Sequence, residues 1–124
     1  MLNLFAKCPK VLLLGYNSQT IKLIRILNKK YNINPFLFAD KRPKQLKSLL
    51  VRYIFVKQKL SHNMYYTEHA ILDIAKSHPG ESIILIPCSS HFANIINKNA
   101  ETFEYEYILC DNKHVQDIIS SPIF

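Results

Sequence analysis

The sequence predicts an α/β fold of three layers, in which helices cover both faces of a five-stranded parallel sheet. Short apolar runs alternate with helical segments along the whole chain. The first of these runs ends at a glycine that is followed by helix-capping residues. The runs are also nearly unbroken, which is typical of strands that are buried on both faces.

The first strand and helix are the clearest elements. The strand is expected at Val11–Leu14, and Gly15 ends it where the chain has to turn without a Cβ. Asn17 or Ser18 can cap the helix, which is expected to reach Lys30. Its apolar stripe consists of Ile21, Leu23, Ile24 and Leu27.

Four further strands follow from apolar, β-branched and aromatic patterns. They are expected at Phe36–Ala39, Val51–Val56, Ser82–Ile86 and Tyr105–Leu109. The last strand alternates with glutamates at its start, which places it nearer an edge of the sheet. Further helices are expected over 45–50, over 64–77, after Ser89 or Ser90, and after Asp111 or Asn112.

This order predicts a Rossmann-like sheet with strands arranged 3-2-1-4-5 and right-handed crossovers. Strands one and four then straddle the switch point, where ligands bind outside the carboxyl ends of the strands. Two loops are therefore predicted to bind a ligand, together with Asp40 at the end of the second strand. The loop residues are Gly15, Tyr16, Asn17, Ser18, Cys88, Ser89, Ser90 and His91.

The first of these loops lacks the common nucleotide-binding motifs. It has one glycine where a dinucleotide fingerprint needs three, so a nicotinamide or flavin dehydrogenase is disfavoured, and a P-loop is excluded because GK[ST] is missing. Its backbone N–H groups could still bind a carboxylate or phosphate at the helix N-terminus. A plain strand-to-helix turn fits the loop equally well.

The second loop places two serines beside His91, but no GxSxG motif surrounds them. N-capping explains the serines better than a hydrolase does. No nucleophile, base and acid set is recognisable, so the residues by themselves predict a binding domain.

Composition predicts one domain over residues 1–124, with 48% hydrophobic residues. No apolar run approaches the roughly 20 residues of a membrane span, and no secretory signal is recognisable, so a cytoplasmic protein is expected. Cys8, Cys88 and Cys110 are far apart and the histidines lack metal-binding spacing, so neither a disulfide framework nor a metal site is expected.

The net charge of +7 is unevenly distributed. Residues 1–60 contain thirteen Lys and Arg and one acid, whereas residues 61–124 contain three Lys and eight acids. Such asymmetry can indicate a nucleic-acid surface. A solvated basic face is the favoured interpretation, and a phosphate-bearing ligand or an acidic partner domain would also suit this charge.

Several segments together resemble the N-terminal, pre-ATP-grasp domain of ATP-grasp carboxylate–amine ligases, including carbamoyl-phosphate-synthase-like proteins. These segments are VLLLGYNSQTIKLIRIL, FAD, RYIFV, ILIPCSSHFANII and YILCDNKHVQDIISSPIF, and they span almost the whole chain. Among these ligases, the chain is most similar to the D-aspartate ligases that extend peptidoglycan side chains.

The resemblance implies a cleft at the two predicted loops that binds a small carboxylate or amine substrate. It also implies a C-terminal ATP-grasp domain as partner, which would bind ATP and Mg²⁺ and form an acyl phosphate for attack by the amine. This chain would then bind no cofactor alone and would not be catalytic alone. One departure concerns the turn after the fourth strand, where family members commonly have an acid and this chain has Ser89 and Ser90.

Two alternatives to the ligase domain remain at this point. One is a free-standing module that binds a nucleotide or another small molecule. The other is a basic nucleic-acid-binding protein, which is disfavoured because no known nucleic-acid motif is present.

Overall fold

The computed structural model describes residues 10–39, 51, 53–56, 64–110, 113 and 116–117. In this part of the chain, five strands form one sheet in the order β3-β2-β1-β4-β5, and all neighbouring strands are parallel. The strands are β1 (Lys10–Leu14), β2 (Phe36–Ala39), β3 (Tyr53–Val56), β4 (Ile83–Pro87) and β5 (Ile108–Leu109). The helices are α1 (Ser18–Lys30), α2 (Met64–Lys76), α3 (Ser90–Lys98) and α4 (Ala100–Glu106). The predicted α/β class and strand order are confirmed.

The sheet has a separate apolar layer on each face, because successive side chains of a strand point to opposite sides. Val11 and Leu13 of β1 belong to the cluster that contains α1. Leu12 and Leu14 belong to the cluster that contains α2, α3 and α4. All four side chains are fully buried, and burial of each stabilises the fold by roughly 1.5–3 kcal/mol.

Helix α1 has the predicted bounds and a slightly wider buried face than the sequence pattern indicates. Leu23, Ile24 and Leu27 are buried as expected, Ile26 is buried with them, and Ile21 is half-buried. The helix ends at Lys30 with Tyr31 as its C-cap, and the following Asn32 adopts a left-handed conformation with φ of 55°. Asparagine tolerates this conformation better than most residues.

The predicted fifth strand was wrong over most of its length. Tyr105 and Glu106 lie in α4, and only Ile108–Leu109 pairs with β4. In a strand Phe103, Tyr105 and Tyr107 would share one face, whereas the helix buries Phe103 and Tyr107 in the apolar layer and leaves Tyr105 89% exposed. The Tyr107 hydroxyl also donates a hydrogen bond of 2.5 Å to the Ile71 carbonyl oxygen.

Other boundaries differ by one or two residues. Strand β3 begins at Tyr53 rather than Val51, β4 is shifted by one residue, and α2 ends at Lys76 rather than Ser77. The predicted helix over 45–50 lies outside the described residues, as does most of the helix predicted after Asp111 or Asn112. Lys113 and residues 116–117 are helical.

Candidate functional site

The two predicted loops lie side by side at the carboxyl edge of the sheet. Strands β1 and β4 are hydrogen-bonded neighbours, and Leu14 is paired with Pro87 at their carboxyl ends. The ladder continues by one bond into the second loop, where the Cys88 N–H donates to the Leu14 carbonyl oxygen at 2.9 Å. Both loops therefore start from the same rim, at the switch point of the strand order.

Asn17 connects the two loops directly. Its side-chain Nδ2 donates to the Cys88 carbonyl oxygen at 2.7 Å, across a sequence separation of 71 residues. Its Oδ1 accepts from the Thr20 N–H at 3.1 Å and so caps α1. The Asn17 side chain thus fixes both the first residue of α1 and the distance between α1 and the second loop.

Thr20 completes a reciprocal cap and was missed by the sequence analysis. Its Oγ1 accepts from the Asn17 N–H at 3.1 Å and donates to the Gly15 carbonyl oxygen at 2.8 Å, in a fully buried position. The N-x-x-T spacing that places both side chains follows the capping-box pattern and was visible in the sequence.

Gly15 allows the first loop to pass close to α3. Its φ is +94°, a conformation that side chains with a Cβ rarely adopt. A Cβ at this position would lie 3.2 Å from Cδ2 and Cε2 of Phe92. The Phe92 ring also packs edge-on against Phe38 at 6.2 Å between centroids, which anchors the first turn of α3 on the sheet.

The second loop ends in the cap of α3. Ser89 is the N-cap, and its Oγ accepts from the Phe92 N–H at 3.3 Å. Ser90 is exposed and His91 is half-buried. The His91 and Phe92 rings pack edge to face, with 5.4 Å between their centroids. In the described part of the chain His91 makes no hydrogen bond to either serine, so these three residues do not form a hydrolytic set.

The N-termini of α1 and α3 both lie at this rim and present backbone donors. The first two N–H groups of a helix have no intrahelical acceptor, which here applies to Ser18, Gln19, Ser90 and His91. Within the described ranges, these four groups also have no other hydrogen-bond partner. Together with the two helix dipoles, they favour a carboxylate or a phosphate over a cation.

A cavity of about 680 Å³ opens beside α3, next to the second loop. Its apolar wall includes Leu85, Ile96 and Leu109. Its polar groups come from five side chains that surround the cavity: Gln19, Ser89, Ser90, Asn97 and Glu104. The sequence analysis missed Glu104 as a site residue because it assigned the following residues to a strand instead of α4.

Cys88 is placed to pack and not to react. Its side chain is buried in the apolar layer that contains α1, and burial raises the pKa of the thiol to about 12. The thiolate, which is the nucleophilic form, is therefore absent near neutral pH.

The other predicted site residues differ in their placement. Tyr16 is half-buried against the α1 layer, and its hydroxyl has no hydrogen-bond partner in the described structure. Ser18 is exposed at the first position of α1. Asp40 lies outside the described residues.

None of the described helices combines the length and the apolar character that a membrane span requires. No cluster of three or more His, Cys, Asp or Glu side chains suited to a metal ion occurs among the same residues.

Comparison with protein-family models, with curated proteins and with solved structures finds no match to this chain.

Proposed function

We propose that this chain is the N-terminal, substrate-side domain of an ATP-dependent carboxylate–amine ligase and that it is not catalytic alone. The observation that carries the proposal is the direct contact of the two loops, in which Asn17 donates to the Cys88 carbonyl oxygen at 2.7 Å. This contact brings two helix N-termini to one edge of the sheet, where their free N–H groups can hold a carboxylate.

The chemistry of the rim supports binding rather than catalysis. The Cys88 thiol is buried and protonated, and Ser89 is engaged as a helix cap. A C-terminal ATP-grasp domain would bind ATP and Mg²⁺ and activate the carboxylate as an acyl phosphate. The chain described here would bind and orient the small substrate at its carboxyl edge. Within this class we propose a D-aspartate ligase of peptidoglycan cross-bridge synthesis.

ATP hydrolysis tests this proposal. The purified 124-residue chain and the full product of its reading frame are each assayed with and without D-aspartate. We expect no turnover by the 124-residue chain and amino-acid-dependent turnover by a product that contains the ATP-grasp domain. Turnover by the chain alone, or a reading frame that lacks an ATP-grasp region, would contradict the proposal.

A second candidate function is a free-standing module that binds a nucleotide or another small molecule. It is favoured by the cavity of about 680 Å³, which has polar lining residues, among them Gln19, Ser90 and Asn97, close to the free helix N-termini. Isothermal titration calorimetry of the 124-residue chain against ATP, AMP and D-amino acids separates the two candidates. Tight binding without any second domain would favour the free-standing module.

A further inference from the structure

A narrow stripe of cations runs along the exposed side of α1 and starts one helical turn beyond Gln19 of the candidate site. It consists of Lys22, Arg25 and Lys29, and all three side chains are exposed. At 3.6 residues per turn, these positions fall within about one sixth of the helix circumference. They extend over about 10 Å of helix length. We refer to these three residues as the basic stripe.

The cations of the basic stripe are not neutralised within the described structure. None of the three forms a hydrogen bond or an ion pair there, whereas Lys10 is paired with Glu81. Helix α1 contains no acid.

Helix stability explains only part of the stripe. A cation in the last turn, such as Lys29, interacts favourably with the helix dipole. Lys22 and Arg25 lie before the last turn and gain nothing from this effect. Any polar residue would suit the solvated face at these two positions, so helix stability does not require cations there.

The described acids lie mostly on the other side of the sheet. Glu68 and Asp73 belong to α2, and Glu101, Glu104 and Glu106 belong to α4. Both helices pack on the layer opposite to α1. Helix α1 thus carries only basic charges, whereas the opposite side of the sheet carries these acids together with Lys76 and Lys98, so the basic stripe would meet a partner from the α1 side.

The partner has to be acidic, and a second copy of this chain is a poor candidate. The stripe of one copy could meet only the acidic α2 and α4 side of another, and the net charge of +7 on each copy opposes that contact. Nucleic acid is also disfavoured, because the large exposed aromatic side chains identified in the described structure, Tyr66 and Tyr105, lie on α2 and α4. Within the described ranges, the stripe therefore has no exposed aromatic platform of the kind on which single-stranded nucleic acid stacks.

We infer that the basic stripe binds an acidic helix of a partner protein, with carboxylates at positions i, i+3 and i+7. Such carboxylates have the same spacing as Lys22, Arg25 and Lys29, so three ion pairs form along one line. This surface adjoins the ligand site only at Lys22 and extends away from it along α1, and its role goes beyond the proposed ligase function.

Peptide binding tests this inference. The probe is a fluorescein-labelled, alanine-based helical peptide with glutamates at i, i+3 and i+7, and its control carries glutamines there. Fluorescence anisotropy at about 50 mM salt measures the affinity of each peptide for the chain. The double variant K22E/R25E is compared with K76E/K98E, which changes the net charge equally on the opposite side of the sheet.

We expect K22E/R25E to weaken binding of the glutamate peptide by about tenfold and K76E/K98E by less than about twofold. Circular dichroism verifies that both variants are folded. Equal weakening by the two variants would show that only net charge matters and would overturn the inference. Failure of the native chain to bind the glutamate peptide, or equal binding of the glutamine peptide, would also overturn it. So would tighter, stripe-dependent binding of a DNA duplex.

Discussion

Replacement of Asn17 by alanine should destabilise the fold by about 2 kcal/mol. The variant loses the cap bond from the Thr20 N–H, at 3.1 Å, and such caps contribute about 1 kcal/mol. It also loses the bond to the Cys88 carbonyl oxygen, at 2.7 Å, and such bonds contribute about 0.5–1.5 kcal/mol. For a chain of 124 residues, we expect the melting temperature to fall by about 6–10 °C.

Asn17→Ser separates the two contributions. Serine caps a helix about as well as asparagine does, but its shorter side chain lacks the amide donor that bonds to Cys88. We therefore expect N17S to lose about 1 kcal/mol, midway between the native chain and N17A.

Urea unfolding followed by far-UV circular dichroism measures the free energy of unfolding of each variant. Asn94→Ala is the matched control, because Asn94 is an exposed asparagine within α3. Alanine has the higher helix propensity, so N94A should be neutral or slightly stabilising. A loss of less than about 0.5 kcal/mol in N17A would refute the role of Asn17 as the connection between the loops.

Two further predictions concern the same rim. Gly15→Ala should destabilise the fold by about 1–3 kcal/mol more than Gly80→Ala, as measured by urea unfolding. Both glycines have positive φ, but the new Cβ at Gly15 would lie 3.2 Å from the Phe92 ring, whereas no atom lies within 4 Å at Gly80. In the second prediction, stability should fall as the pH rises from about 9 towards 12, because the pKa of Cys88 is raised from 9.0 to about 12 by burial. The unfolded chain then binds fewer protons than the folded chain. Titration of this thiol therefore lowers the free energy of unfolding by up to about 1.4 kcal/mol per pH unit. The pKa of Tyr107 is raised as well, mainly by burial, and adds to the loss at the alkaline end.

Each of these predictions has an outcome that would contradict it. Equal destabilisation by G15A and G80A would mean that the Phe92 ring of α3 moves away from the new Cβ without lowering the free energy of unfolding. For the pH dependence, the comparison is with Cys88→Ala, whose stability should decline less steeply above pH 9. Parallel curves for the native chain and C88A would show that the Cys88 thiol does not titrate on unfolding.

Features that depend on neighbouring residues could be predicted from the sequence. The apolar run at β1 involves residues within a few positions of one another, as do the N-caps of α1 and α3, which were predicted to within one residue as Asn17 or Ser18 and as Ser89 or Ser90. The strand order also followed from local patterns, because general rules for parallel sheets leave few arrangements of such elements.

The error at the fifth strand has a specific physical cause. Alternating glutamates and tyrosines around Tyr105 favoured an edge strand, in which Phe103, Tyr105 and Tyr107 would lie on one face. The helix instead buries Phe103 and Tyr107 in the layer that contains Ile71 and leaves Tyr105 exposed. The spacing of Phe103 and Tyr107 fits both structures, so the local pattern alone does not decide between them.

The sequence by itself determined the class of the fold, the order of its strands and the loops at the carboxyl edge. Only the tertiary structure decided how those loops meet: Asn17 reaches Cys88 across 71 positions, and Gly15 passes close to Phe92. These contacts depend on the register between β1 and β4, which pairs Leu14 with Pro87. Register is a property of two distant segments packed together, so no local pattern in either segment specifies it.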